Sequence, residues 1–228
     1  MTASRDAEVA RRIADIGVVP VVRVRSTDAA YRAADALLEG GISTLEITLT
    51  VPNAIAAIRS LATRIGDRAL IGAGTVLSPA DVDACVDAGA QFIVSPGLDA
   101  ATMEAARRCD VLAVPGALTP TEIMAATRWG SSLVKIFPCS AMGGPTYLRA
   151  LRGPLPHVQL LPTGGITMAN AVDYIAAGAA AVGMGSELVD ERLLETGQGA
   201  VLTERARTLV RSIRSARAGV AAVTRGSS

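Results

Sequence analysis

The stretch Val134-Lys135-Ile136-Phe137-Pro138-Cys139 carries one lysine in an otherwise apolar run. In an extended strand Leu133, Lys135 and Phe137 share one face and Val134 and Ile136 the other, because successive side chains alternate. A lysine flanked by Leu, Val, Ile and Phe is poorly solvated. That lowers its pKa and brings the neutral, nucleophilic amine within reach near pH 7. The plainer alternative is a buried stem whose ammonium reaches out to the strand end and does no chemistry. Leu45-Glu46-Ile47-Thr48-Leu49-Thr50 is the second such stretch: Leu45, Ile47 and Leu49 fall on one face, Glu46, Thr48 and Thr50 on the other. A glutamate turned inward is costly unless paired or protonated. Its plainer reading is an ion pair with Arg23 or Lys135 that serves structure alone.

Other polar groups fall where apolar runs stop. Val21-Val22-Arg23-Val24-Arg25 puts Arg23 on the face of Val19 and Val21, hence inward, with Arg25 nearer the rim; arginine forks suit carboxylates and phosphates. Gly72-Ala73-Gly74-Thr75 offers a hydroxyl beside two glycines that permit close approach. Ser95-Pro96-Gly97 and Pro115-Gly116 read equally well as ordinary turns. Pro162-Thr163-Gly164-Gly165-Ile166-Thr167 and Gly183-Met184-Gly185-Ser186-Glu187 present backbone N–H groups that could cradle an anion.

Composition narrows the chemistry further. The single histidine, His157, sits in a turn-like Gly153-Pro154-Leu155-Pro156-His157 segment, and no Cys-x-x-Cys pair is present. A His-rich or paired-cysteine metal site therefore cannot be built, and a Ser-His-Asp triad lacks a nucleophile elbow. The reaction must therefore rest on Lys, Glu, Arg, hydroxyls or backbone groups. A net charge of +1 gives no footprint for nucleic acid or a membrane surface. No apolar run approaches the ~20 residues that span a bilayer. Three cysteines without paired spacing, Cys85, Cys109 and Cys139, suit reduced thiols and a cytoplasmic setting.

The elements that must hold these groups repeat. Gly41, Gly89, Gly130 and Gly178 each end a helix-like stretch just before a short apolar run, at steps of 48, 41 and 48 residues. Each step has room for two strand–helix units. The runs are Val18–Val24, Ile42–Leu49, Ala69–Ala73, Gln91–Val94, Val111–Val114, Leu133–Phe137, Val158–Leu161 and Ala179–Gly183. Ser78-Pro79-Ala80-Asp81 and Thr119-Pro120-Thr121-Glu122 carry helix-start signals, and Ser26 and Thr167 are further caps. Eight alternations point to an α/β protein, a closed (β/α)8 TIM barrel forming one domain over 1–228. An open doubly wound sheet competes, but no Gly-x-Gly-x-x-Gly follows the first strand. Residues 1–16 read as an extra N-terminal helix covering the barrel floor, and 219–228 as a frayed tail. In such a barrel the functional face lies at the strands' carboxyl ends, where the polar groups above collect.

Taken in order, Leu45-Glu46-Ile47-Thr48-Leu49, Ile71-Gly72-Ala73-Gly74-Thr75-Val76-Leu77, Ile93-Val94-Ser95-Pro96-Gly97, Val134-Lys135-Ile136-Phe137-Pro138 and Pro162-Thr163-Gly164-Gly165-Ile166 resemble one family. It is the 2-keto-3-deoxy-6-phosphogluconate (KDPG) / 4-hydroxy-2-oxoglutarate (KHG) aldolase family: class I, metal-independent, and typically homotrimeric. The resemblance runs from about Val18 to Val189. It implies cleavage of KDPG to pyruvate and glyceraldehyde 3-phosphate, of KHG to pyruvate and glyoxylate, or both. It implies Lys135 as the Schiff-base residue and Glu46 as the general acid/base acting through a water. Arg23 would hold the pyruvyl carboxylate, Thr75 the hydroxyls or carboxylate, and Pro96 and Phe137 the pocket walls. Gly164, Gly165, Gly185 and Ser186 would take the phosphate, with Thr163 beside them. Many members carry an arginine where this chain has Thr50, followed by Val51-Pro52-Asn53. That departure leaves open which group anchors the carboxylate and which sugar acid is preferred. The 6-phosphogalactonate epimer stays a rival substrate, and a phosphate-binding isomerase or sugar-phosphate binding protein a rival class.

Overall fold

The computed structural model describes residues 5–226, with side chains described as far as residue 219. All eight expected strand segments form, and every pairing is parallel. They are β1 (Val18–Val22), β2 (Thr44–Thr48), β3 (Leu70–Gly74), β4 (Phe92–Val94), β5 (Leu112–Val114) running on past Pro115 as β6 (Gly116–Ala117), β7 (Val134–Ile136), β8 (Leu160–Pro162) and β9 (Val182–Met184). One curled sheet has the order β5-β4-β3-β2-β1-β9 and a second the order β6-β7-β8. The chain links them through Pro115. On the other side a parallel bridge between Thr163 and Gly183 joins them, with the Ala180 N–H donating to the Leu160 carbonyl at 2.9 Å.

The helices between the strands start and stop for the reasons their sequences give. The Ser78 hydroxyl accepts from the Asp81 N–H at the head of α4 (Pro79–Asp87). Thr119 and Glu122 close a full capping box on α6 (Pro120–Arg128), satisfying amides that would otherwise be orphaned. Ser26 caps α2 (Thr27–Glu39). At the other ends Gly41, Gly89, Gly130 and Gly178 all have φ between 88° and 97°. The residue after each donates back across the last turn, as in Ile42 to Leu37 and Ala90 to Cys85. This closure needs a left-handed residue, which glycine adopts without steric cost. Thr167 is not a helix cap. α8 (Ala171–Ala176) begins later, and Thr167 instead exchanges hydrogen bonds with Asn170, each backbone N–H meeting the other's side chain.

Alternation sorts the strand residues into two apolar clusters. Val18, Val22, Leu45, Ile47, Ile71, Ile93, Val134 and Ile136 face the helices. Val19, Leu70, Phe92, Val94, Leu112, Leu133 and Leu161 face inward, where Val9, Ala10 and Ile13 of α1 (Arg5–Ile16) pack against them. The N-terminal helix thus closes the floor; residues 1–4 of the stretch expected to form it lie outside the described residues. The expectation of a frayed tail needs correction for 219–226. The helix Gly199–Gly226 continues through them, in keeping with the helix-forming Ala218, Ala221 and Ala222. Residues 227–228 are outside the described span.

Candidate active site

Lys135 lies at the middle of β7, between Gly116 and Leu161 in register, and is 7% exposed. It is the only lysine in the chain. Its ammonium stands 5.0 Å from the centre of the Phe137 ring, its neighbour on the same face. Glu46, on β2 between Val21 and Gly72 in register, is 3% exposed. Its carboxylate extends toward the strand ends over Gly74, where any Cβ would collide with it. Gly72, the other glycine of that strand, leaves room in the same way for the Phe92 ring below. The close approach allowed by the two glycines is therefore made by the protein's own side chains.

Burial sets the electrostatics of the pair. Loss of water pushes the Glu46 carboxyl above its ordinary value, and the nearby positive charges of Lys135 and then Arg23 pull it back. Loss of water also lowers the Lys135 ammonium, Glu46 opposes that, and Arg23 adds to it. Both shifts favour neutral side chains at this depth, as expected for charged groups moved out of water. The two titrate as a unit rather than singly. Among the described residues no direct ion pair joins them, which leaves space for a third participant.

A cavity of about 410 Å³ opens at the carboxyl ends of β1, β7, β8 and β9. Of the residues singled out from the sequence it gathers Arg23, Phe137, Thr163, Gly164, Gly165, Gly185 and Ser186. Lys135 and Glu46 are not in its wall; Phe137 and Arg23 connect it with the buried pair. Among the described residues, no protein acceptor takes the backbone N–H of Gly164, Gly165, Gly185 or Ser186. Gly164 and Gly165 have φ of 91° and 73°, and a side chain on Gly165 would collide with Ser140. Thr163 is held over Gly183, which is bare enough to admit it.

Several expected residues stand elsewhere. Arg23 is exposed at the rim rather than inside, because β1 ends at Val22. Arg25 turns away to Glu191, which accepts its backbone N–H and faces its guanidinium at 3.6 Å. Thr50 is exposed and bonds the Thr48 hydroxyl at 2.8 Å, and Pro96 is exposed with its carbonyl against Gly116; neither reaches the cavity wall. Thr75 is also outside that wall, half-buried with a left-handed φ of 61°, unusual for a β-branched residue. The cavity adds Val21, together with Ile166, Thr167, Gly183 and Glu187 from the two glycine-bearing stretches, none of which sequence reasoning had given an individual role at a site. Alternation had put Val21 inward with Arg23, so that one was within reach; Glu187 lay inside a quoted motif without a role.

A parallel α/β sheet thus carries an inward lysine and glutamate below a rim of unpaired backbone amides. Comparison with known proteins identifies the family. The family model described as KDPG and KHG aldolase matches residues 9–204. The KHG/KDPG aldolase of Escherichia coli strain K12 is 40% identical over 193 residues, covering 85% of this chain and 90% of its own. The 2-dehydro-3-deoxy-6-phosphogalactonate aldolase of the same organism is 37% identical over 172 residues, covering 75% and 83%. The crystal structure of KDPG aldolase from Legionella pneumophila, with pyruvate captured as a covalent carbinolamine, superposes with a TM-score of 0.82. It is 34% identical and covers 88% of this chain and 97% of that one. The chain belongs to the KDPG and KHG aldolase family and is accordingly a lyase.

Proposed function

We propose that this chain is a class I aldolase on a closed (β/α)8 barrel. In this reading it cleaves KDPG to pyruvate and glyceraldehyde 3-phosphate, with KHG as an alternative substrate, through a Schiff base on Lys135 and without metal or cofactor. The observation that carries this is the buried pair: the chain's only lysine, its amine biased toward the neutral form, near a buried glutamate whose carboxyl titrates high.

Cleaving a carbon–carbon bond beta to a ketone needs a place for the electron pair. The neutral Lys135 amine adds to the C2 ketone and the carbinolamine loses water, leaving an iminium, a better electron sink than the carbonyl. Glu46 as carboxylate takes the C4 hydroxyl proton through a water, the C3–C4 bond breaks, and its electrons form the enamine. The aldehyde leaves. Glu46 then returns the proton to C3, and hydrolysis frees pyruvate and the amine. A glutamate whose pKa has moved toward neutrality can both accept and donate that proton.

In this reading the unpaired amides of Gly164, Gly165, Gly185 and Ser186, with Thr163 beside them, hold the phosphate. Remote binding energy there aligns the reacting carbons. Arg23 takes the pyruvyl carboxylate, the role for which many relatives use an arginine at the position of Thr50. Phe137 walls the pocket; Thr50, Thr75 and Pro96, which stand outside the cavity wall, take no substrate contact in this reading. Apolar side chains exposed at Leu77, Met124 and Trp129 support assembly, as a homotrimer. Among the described residues no helix is long and apolar enough to cross a membrane; with three free thiols this supports a cytoplasmic location.

The test is borohydride reduction in the presence of pyruvate, followed by intact mass and peptide mapping. A single pyruvyl adduct on Lys135 is the expected result; a folded protein that forms none would overturn the reading.

A further inference from the structure

The cavity wall carries two charged side chains, and they are opposite in sign. Arg23 and Glu187 both line the 410 Å³ cavity, and both also line a second, 610 Å³ cleft beside it. Both are exposed, and among the described residues neither enters an ion pair. The other charges of the second cleft are largely spent on one another: Arg25 faces Glu191 and Arg192 faces Asp190. Arg205 donates to the Glu187 backbone carbonyl at 3.4 Å, so even that cation leaves the Glu187 carboxylate free. Glu187 directly follows Ser186, whose N–H is one of the unpaired amides of the cradle. A carboxylate at that lip cancels the formal charge of Arg23. It also repels whatever anion the amides attract, since like charges at short range oppose each other even in water.

We infer that Glu187 is a specificity-determining residue, which holds the distal subsite near neutrality so that the enzyme does not demand a dianion at the far end of its substrate. This rests on the proposed function, in which the amide cradle receives a phosphate. An amide cradle with no carboxylate at its lip would favour a phosphate over a hydroxyl steeply. With Glu187 present the discrimination is blunted, and sugar acids lacking the phosphate keep a workable kcat/KM.

The test compares kcat/KM for KDPG and for 2-keto-3-deoxygluconate, its phosphate-free form, in the unaltered enzyme, Glu187→Gln and Glu187→Asp. Competitive inhibition by inorganic phosphate is measured alongside. Glu187→Gln should raise the ratio of the two kcat/KM values by roughly three- to tenfold, the scale of removing one unit charge near a surface site. Its inhibition constant for phosphate should fall, and both effects should shrink with added salt. Glu187→Asp, which keeps the charge, should keep the ratio near that of the unaltered enzyme. An unchanged ratio in Glu187→Gln, with inorganic phosphate still competing, overturns the role of Glu187 and leaves the phosphate site standing. Inorganic phosphate that competes with none of the three, together with equal turnover of both substrates, overturns the phosphate site and this inference with it.

Discussion

At the floor of the sheet Val19, Leu70, Phe92, Leu112 and Leu133 meet Val9 and Ile13 of the N-terminal helix, all of them apolar and buried. Two residues past Leu133 the inward position of β7 is Lys135, and on β2 the inward position is Glu46, both buried. Neighbouring positions thus follow opposite rules. The floor gains free energy from every methylene it removes from water. The upper layer does the reverse: it takes two ionisable groups out of water and accepts the desolvation cost in exchange for shifted proton affinities. Damage at the floor should therefore be a loss of stability, and damage in the upper layer a loss of reaction.

Three experiments can break or sharpen that contrast. Lys135→Ala should lower kcat/KM by at least about 10⁴-fold, since no other lysine can form the iminium. The variant should keep its circular dichroism spectrum, and residual cleavage above a hundredth of normal would sink the assignment. Ile13→Ala should cost about 2–5 kcal/mol of unfolding free energy, the range for truncating a fully buried aliphatic side chain. In urea titrations its midpoint should fall while kcat at a permissive temperature stays near normal; a large kcat loss without destabilisation would mean that floor and site are coupled. The smallest effect is expected from Arg23→Gln, read as the pH dependence of borohydride trapping at saturating pyruvate. Adduct formation needs the neutral amine, so it rises as pH passes through the lowered Lys135 pKa. Arg23 is one of the groups that lowers it. Removing that positive charge should move the rising limb to higher pH, and a shift to lower pH would contradict the electrostatics described here.

Much of this contrast is legible in the residues. Four glycine stops locate the repeat because a left-handed residue before a strand has few alternatives. Alternation assigns Leu133 and Lys135 inward and Val134 and Ile136 outward with no other information, because a strand's period is two. Depth is what alternation leaves out. Arg23 shares a face with Val19 and Val21, yet the strand ends before it, and its guanidinium sits at the rim. Thr50 continues the inward series of Glu46 and Thr48, but β2 has ended at Thr48, and Thr50 turns back onto its hydroxyl. Pro96 and Thr75 sit on loops after strands β4 and β3, whose carboxyl ends the cavity does not reach. Glu187 shows the converse. Its place opposite Arg23 comes from β9 pairing with β1, a contact between the two ends of the sequence that no local pattern announces.

That the only lysine is also a buried one has a practical side. Every side-chain amine in this sequence is the Lys135 amine. Reagents that acylate amines usually decorate a surface indiscriminately. On this chain they have a single side-chain target, and it is buried. Label on the peptide that carries Lys135, counted by mass, would become a direct census of competent sites in a preparation, and protection by pyruvate would report occupancy without any turnover assay.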